Sequence, residues 1–375
     1  MNLASGPGHV RSSPLEGWKL ELTRASAHLL SPTGDLYAWG SNSYKTVDPT
    51  SAITVAMRDY GTVRKTGTGF VDIKAGNDHV VALDSSGNVY CWGQNSYDQC
   101  QPASSTSPWI DWDTPIFTGA AQIHAGREQT MVITASGDMY AWGRNNYSQC
   151  NHTNTSAVTD ATSLMATNVD MVLGGRFFTH VVKLNGDLHN WGYGGYGSLY
   201  PGLTGNRTDD EVVRKSGVIG GRGGYAHSLI LDSTNGLYGW GLNTSKQANP
   251  NDAGSPAADT TSWWTPSAEV IKIICGKNYH VSGLLTADGN YHAWGSNTNY
   301  ASDPSTSDSP ATDYTTIRIS NVYDVSMGQG VTVALTKDGA IHGWGSNTLG
   351  IVDPNVVESA SRNDIQNVRF NVFDL

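Results

Sequence analysis

The sequence predicts an all-β protein, a seven-bladed β-propeller of four-stranded blades. Three observations carry that prediction. The dipeptide Trp-Gly recurs seven times, at Trp39, Trp92, Trp142, Trp191, Trp240, Trp294 and Trp344, at intervals of 53, 50, 49, 49, 54 and 50 residues. Side chains alternate with period two ahead of each Trp, which is strand spacing. No stretch sustains a 3.6-residue apolar pattern. A short unit copied at a fixed period cannot bury its apolar face alone and must pack on its neighbours. Radial repetition of short-stranded sheets is the propeller solution.

Each position of the copy has a physical role. Three residues before Trp stands a large apolar residue (Leu36, Val89, Met139, Leu188, Leu237, Tyr291, Ile341), and two before it Tyr or His. One before it the side chain is small or short (Ala38, Cys91, Ala141, Asn190, Gly239, Ala293, Gly343), which predicts a close neighbour there. Five before Trp is Gly in six copies and Asn235 in the fifth. Both residue types accept positive φ, so a hairpin turn is expected at that place in every copy. Asn follows Trp-Gly-x in six copies, with Gly194 in the fourth. Pro stands ten residues after Trp in six copies, Pro354 being the last, and marks where the chain leaves the sheet.

Residues 1–18 hold Gly6, Pro7, Gly8 and Pro14 without a strand pattern and are expected to be an N-terminal arm; residues 19–375 form the propeller. The C-terminal text VRFNVFDL resembles IRISNVYDV, which opens the seventh copy, and the first copy opens weakly at Lys19. A shared blade follows as the expectation, with Val368–Val372 pairing with the N-terminal repeat and closing the ring.

Composition narrows the function classes. Charged residues are 15% of the chain, against about 25% in ordinary globular proteins. The 23 Lys and Arg are unclustered and outnumbered by 33 Asp and Glu, for a net charge of −10. Nucleic acid as principal ligand is therefore not expected. Nothing approaches the roughly 20 apolar residues of a membrane helix, and no basic segment followed by an apolar run opens the chain. The four cysteines are read as buried free thiols, with a Cys100–Cys150 bridge between adjacent copies as the alternative.

No catalytic, metal or cofactor motif emerges, and the chain is read as a non-enzyme. His189, His292 and His342 replace Tyr at one repeat position and belong to blade packing; His79, His227 and His280 sit at a strand entry and are expected to brace a turn. GYGGYG and GGRGG lack the strand-to-helix context of phosphate loops. The candidate binding residues are those that differ between copies while the framework repeats. Trp109 and Trp112 lie in one interblade loop, Trp263 and Trp264 in another. Exposed Trp serves hot spots and sugar-stacking surfaces; folding back over a blade edge is the competing reading. Arg127, Arg176, Phe177, Tyr225, Lys277 and Tyr279 occupy the turn after the repeat Gly.

The combined unit A-G-x-x-H-x-x-x-L-x-x-x-G-x-x-Y-x-W-G-x-N resembles the repeat of the regulator of chromosome condensation family. The second copy carries nearly all of it in Ala75, Gly76, His79, Leu83, Gly87, Tyr90, Trp92, Gly93 and Asn95. The resemblance implies a seven-bladed propeller and, in most members, a protein-binding surface; the fold alone does not choose among its functions. The Gly-Gln-Leu-Gly segment usual after Trp-Gly-x-Asn is rewritten here as YKTVDP, YDQCQP or YSQCNH. No basic tail, photoreceptor-type Trp turn or appended catalytic domain is visible. Two functional expectations remain. One is a structural, docking or adhesive module on a bacteriophage or other virion surface or tail, with virion proteins or glycans as partners. The other is a soluble cytoplasmic regulator, an inhibitor or small-GTPase exchange factor, holding one protein partner.

Overall fold

The computed structural model describes residues 15–375 apart from 68, 103, 157, 159, 209–211, 259, 277–278, 354–360, 362 and 364–367; Pro354 and residues 1–14 of the expected arm thus lie outside the described residues. Seven antiparallel sheets follow one another along the chain, one per Trp-Gly copy. The expected all-β, seven-bladed propeller is what forms. Four sheets have four strands, two have three, and the first has five because Ala56–Met57 and Val63–Lys65 both pair with Leu36–Ser41. Where the fourth strand is missing, single bridges hold the outer edge, Val89 with Phe117 and Leu188 with Lys215. The first strand of each blade lines a central channel of ≈ 1060 Å³.

The repeat Trp positions explain how blades adhere. All seven side chains are fully buried, the most accessible being Trp240 at 1%. Each Trp faces the preceding blade: Trp92 packs with Leu30 and Leu36 of the first blade, while Val89 and Cys91 on the opposite face of the strand join the third. Six of the indoles also donate Nε1–H to one carbonyl, seven residues after the preceding copy's Trp. Trp92 reaches Thr46 O at 2.8 Å, Trp191 Gln149 O at 3.1 Å, Trp240 Ser198 O at 3.1 Å, Trp294 Gln247 O at 3.0 Å and Trp344 Ala301 O at 3.1 Å. Trp39 Nε1 reaches Ile351 O at 2.9 Å across the seam. A second-strand hydroxyl often shares that carbonyl, as Thr179 does at Gln149 O. At Gln99 O the hydroxyl of Thr130 takes the place, and Trp142 Nε1 has no partner.

The Asn two residues past Trp-Gly organises the loop that supplies this carbonyl. Asn145 Oδ1 accepts from Cys150 N and Asn151 N, and its Nδ2 donates to Asn151 O and Asn154 O. Asn42, Asn95, Asn243 and Asn297 do the same in their copies. The loop so folded lies against the residue before Trp, which is why that residue is small. A Cβ on Gly239 would stand 1.9 Å from Ala248 O. The hairpin position behaves as read, with φ of +81° to +87° at the six glycines and +63° at Asn235.

Two expectations change. Cys91 and Cys100 form a disulfide, with Cα atoms 5.0 Å apart, and Cys150 and Cys275 are buried free thiols. The bridge lies within one copy because the residue before Trp and the loop residue eight after it face each other in every blade; only the second copy has Cys at both. Ring closure also differs in its hydrogen bonds. Val368–Asn371 pairs with Ala340–Gly345 as the outer strand of the seventh blade, not with the N-terminal repeat. The terminal segments nevertheless meet. Phe370 stacks on Tyr60 at 4.2 Å and edges Trp39 at 5.4 Å, and Leu20 N donates to Asp324 Oδ2 at 2.9 Å. The described part of the arm also docks, with Leu15 fully buried beside Leu20 and Trp39.

Three predictions follow from this framework. Trp142→Ala should cost roughly 3–5 kcal/mol, read as a lowered denaturant midpoint; an unchanged midpoint would show that blade contacts do not depend on the ring. Thiol titration without reductant should find two reactive groups per chain after unfolding and almost none before it, since burial pushes the Cys275 thiol up to about 12; four groups would exclude the bridge. Burial also lowers His28, His180 and His227 to about 3, with Glu21 partly opposing the shift at His28. An unfolded imidazole titrates near 6.5, so between about pH 6.5 and 3 the unfolded chain binds protons that the folded one refuses. Stability should be fully present above that window and fall through it on acidification; a flat denaturation midpoint from pH 7 to 4 would contradict the burial.

Candidate functional site

Turns between first and second strands and loops after the Trp strand emerge at the same end of the propeller. The turns bond to one another around that end. Gln329 N donates to Arg24 O at 3.2 Å, Arg24 N to Asn77 O at 2.8 Å and Asn77 N to Arg127 O at 2.9 Å. Gln129 Nε2 reaches Arg176 O at 3.2 Å, and Arg176 N reaches Gly224 O at 3.0 Å. His79 and His227 brace their turns from within, their rings filling the space where a Cβ on Gly76 or Gly224 would stand. A surface tied in this way is preorganised, so its side chains act from fixed positions.

The third and fourth blades place a cation cluster there. The guanidinium carbons of Arg176, Arg144 and Arg127 lie 4.3, 4.9 and 5.8 Å from the centroid of the Phe177 ring. Arg176 is held between two rings, with Tyr225 at 4.2 Å on its other side. Arg144 also covers Tyr97 at 4.8 Å. Tyr147 packs on Phe177 at 5.0 Å and on Tyr193 at 4.9 Å, and Tyr225 meets His280 at 5.2 Å. Guanidinium groups are weakly hydrated and planar, which makes stacking on aromatic faces favourable.

One carboxylate serves this cluster. Glu128 accepts from Arg144 Nη1 at 2.6 Å and stands 3.6 Å from Arg127 Nε, beyond hydrogen-bond length. Arg127 Nε and Nη1 and Arg176 Nε are buried atoms without a hydrogen-bond partner among the described residues. Burial above all pulls the Arg127 guanidinium below its ordinary value; Glu128 opposes this, and the charges of Arg176 and Arg144 add to it. A second pair lies farther round, Arg24 with Asp78 at 3.1 Å and with the Tyr44 ring at 5.9 Å. Burial raises the Asp78 carboxyl, and Arg24 and, less, Arg127 offset part of that.

Of the residues picked from sequence, Arg127, Arg176, Phe177 and Tyr225 come together in this patch. Tyr279 packs farther round against the core between the sixth and seventh blades, and Lys277 lies outside the described residues. The tryptophan loops fold back on blade edges. Trp109 bridges Gly93, and Trp112, 5% exposed, edges Trp92 at 5.5 Å under Lys65. Trp263 and Trp264 edge Trp294 at 5.6 and 6.1 Å and close around Tyr314. Sequence reading missed Arg144, Tyr97, Tyr147 and Tyr193. Tyr at the fifth residue after Trp in four successive copies, Tyr44, Tyr97, Tyr147 and Tyr196, was the available signal.

The molecule is thus a propeller with an arginine–aromatic cluster on hydrogen-bonded turns at one end. The regulator of chromosome condensation (RCC1) repeat matches residues 70–99, 120–149, 223–247 and 322–351, within the second, third, fifth and seventh copies. Four of the seven copies thus carry the repeat of that family. Yeast RCC1 (Prp20), solved bound to Kap60, superposes with a TM-score of 0.74 at 16% identity over 99% of this chain and 90% of its own. A second structure, of Prp20p from Saccharomyces cerevisiae, whose description names binding to Gsp1p and histones, gives 0.72 at 15% over 97% and 90%. Human WBSCR16 gives 0.68 at 15% over 87% and 92%. At such identities the shared property is the fold. An RCC1-like propeller fits a protein-binding or regulatory module.

Proposed function

We propose that this protein is a non-enzymatic docking module that holds a protein partner on its turn face. The observation that carries the reading is the arginine–aromatic patch around Phe177, built from positions that differ between copies on a backbone that repeats. Tyr and Arg are the residue types enriched where protein interfaces concentrate their energy. Here they are already ordered by stacking, so little side-chain entropy remains to be lost on binding. The proteins named with the yeast relative support a protein as the ligand class. The tryptophan loops, spent on covering blade edges, contribute to stability in this reading and leave docking to the turn face. Low charge with an excess of Gly, Ser, Thr and Asn supports a place on a virion surface or tail, which cosedimentation with particles would test.

Replacing Tyr147 and Tyr225 together by Ala should weaken a copurified partner by roughly thirtyfold, about 2 kcal/mol. The thermal midpoint should stay within a few degrees of the parent, because both rings are partly exposed and lie outside the interblade cores. Unchanged affinity by surface plasmon resonance would place docking elsewhere, and turnover of a substrate by the purified chain would contradict the module itself.

A further inference from the structure

We propose that Arg127 and Arg176 form a receptor for side-chain carboxylates of an acidic segment in the docked protein, an inference that rests on the turn face being the docking surface. Three guanidinium groups gather within 6 Å of the Phe177 ring centroid, and Glu128 is the one carboxylate paired with them in the described residues; Asp78, paired with Arg24, feels the Arg127 charge from farther off. Arg144 holds Glu128 Oε2 at 2.6 Å, while Oε1 stands 3.6 Å from Arg127 Nε. Arg127 and Arg176 are left with three buried donor nitrogens whose hydrogens no described residue accepts. Unsatisfied buried donors are rare in folded chains, and like charges held this close repel. Incoming carboxylates relieve both at once, because the planar guanidinium fork matches a carboxylate and bonds to it are charge-assisted.

The surroundings choose the occupant. Phe177 and Tyr225 clamp Arg176 and fix the direction of its free edge. Tyr147 and Tyr193 border the cations and offer apolar contact to the chain that carries the acid. A nucleic-acid strand needs a run of cations along its phosphates. This face offers one compact group on a chain of net charge −10. Beyond a Debye length of about 8 Å the acidic remainder is screened, so a short acidic segment meets the local cations without repulsion from the whole.

The test is calorimetric titration of the full chain with octaglutamate, octaglutamine, inorganic phosphate and a single-stranded oligothymidylate. Octaglutamate should bind, weaken with salt and outcompete the other three. The double variant Arg127→Gln, Arg176→Gln should lose roughly tenfold or more of that affinity with its thermal midpoint retained. Arg176→Lys, which keeps the charge without the fork, should fall between; Lys65→Gln, at the Trp112 edge, should match the parent. Octaglutamate that fails to bind, or binds the double variant equally, overturns the proposal, as does tighter binding of phosphate or oligothymidylate. The copurified partner separates the two readings. If it is lost on Tyr147→Ala, Tyr225→Ala and kept on Arg127→Gln, Arg176→Gln, docking on this face stands and carboxylate recognition falls. If it tolerates both variants, docking on this face falls as well.

Discussion

The bond from a Trp indole to a carbonyl of the preceding blade is the interaction on which the rest of this propeller depends. A blade of three or four short strands has two apolar faces and cannot keep water from either by itself. The indole supplies a large buried surface to the neighbour and, through Nε1, one directional contact that sets how the two blades meet. The same contact recurs at the seam, where Trp39 reaches Ile351 across 312 residues of sequence. Closure therefore uses the joint found between consecutive blades. Strand exchange between the chain ends is not needed, and the C-terminal strand completes its own blade.

The acceptor loop links this framework to the turn face. Asn in Trp-Gly-x-Asn ties the loop back on itself and presents the carbonyl that the next Trp takes, and the same loops place Tyr97, Arg144 and Tyr147 at the surface. Interblade adhesion and the geometry of the patch thus share one scaffold. The fourth copy lacks the Asn and has Gly194 instead, yet still presents Ser198 O to Trp240. In that copy a bond from Asn190 Nδ2 to Leu199 O holds the loop.

Electrostatics gives the face a character opposite to that of the molecule. An acidic chain with few charges holds Arg24, Arg127, Arg144 and Arg176 over rings at this end, where aromatic faces partly offset the loss of water around the guanidinium groups.

Much of the architecture was legible in the sequence because it rests on local rules. Period-two alternation, a positive-φ residue at one place in every copy and a small residue before each Trp act within a few residues of chain, and seven copies average out exceptions such as Asn235. Half of the patch was also legible, since Arg127, Arg176, Phe177 and Tyr225 stand out as variable residues in a repeated turn. Arg144, Tyr147 and Tyr97 did not, because they join the patch from separate loops, and Arg176 meets Tyr225 across 49 residues. The partner of Cys100 was equally hidden: spacing pairs it with Cys150 in the next copy, whereas the folded loop brings Cys91 to it. By itself the sequence determined how many blades form and what each is made of, since those follow from local periodicity. Only the tertiary structure decided which side chains share a site, because the circle brings adjacent blades together at distances that no short-range pattern encodes.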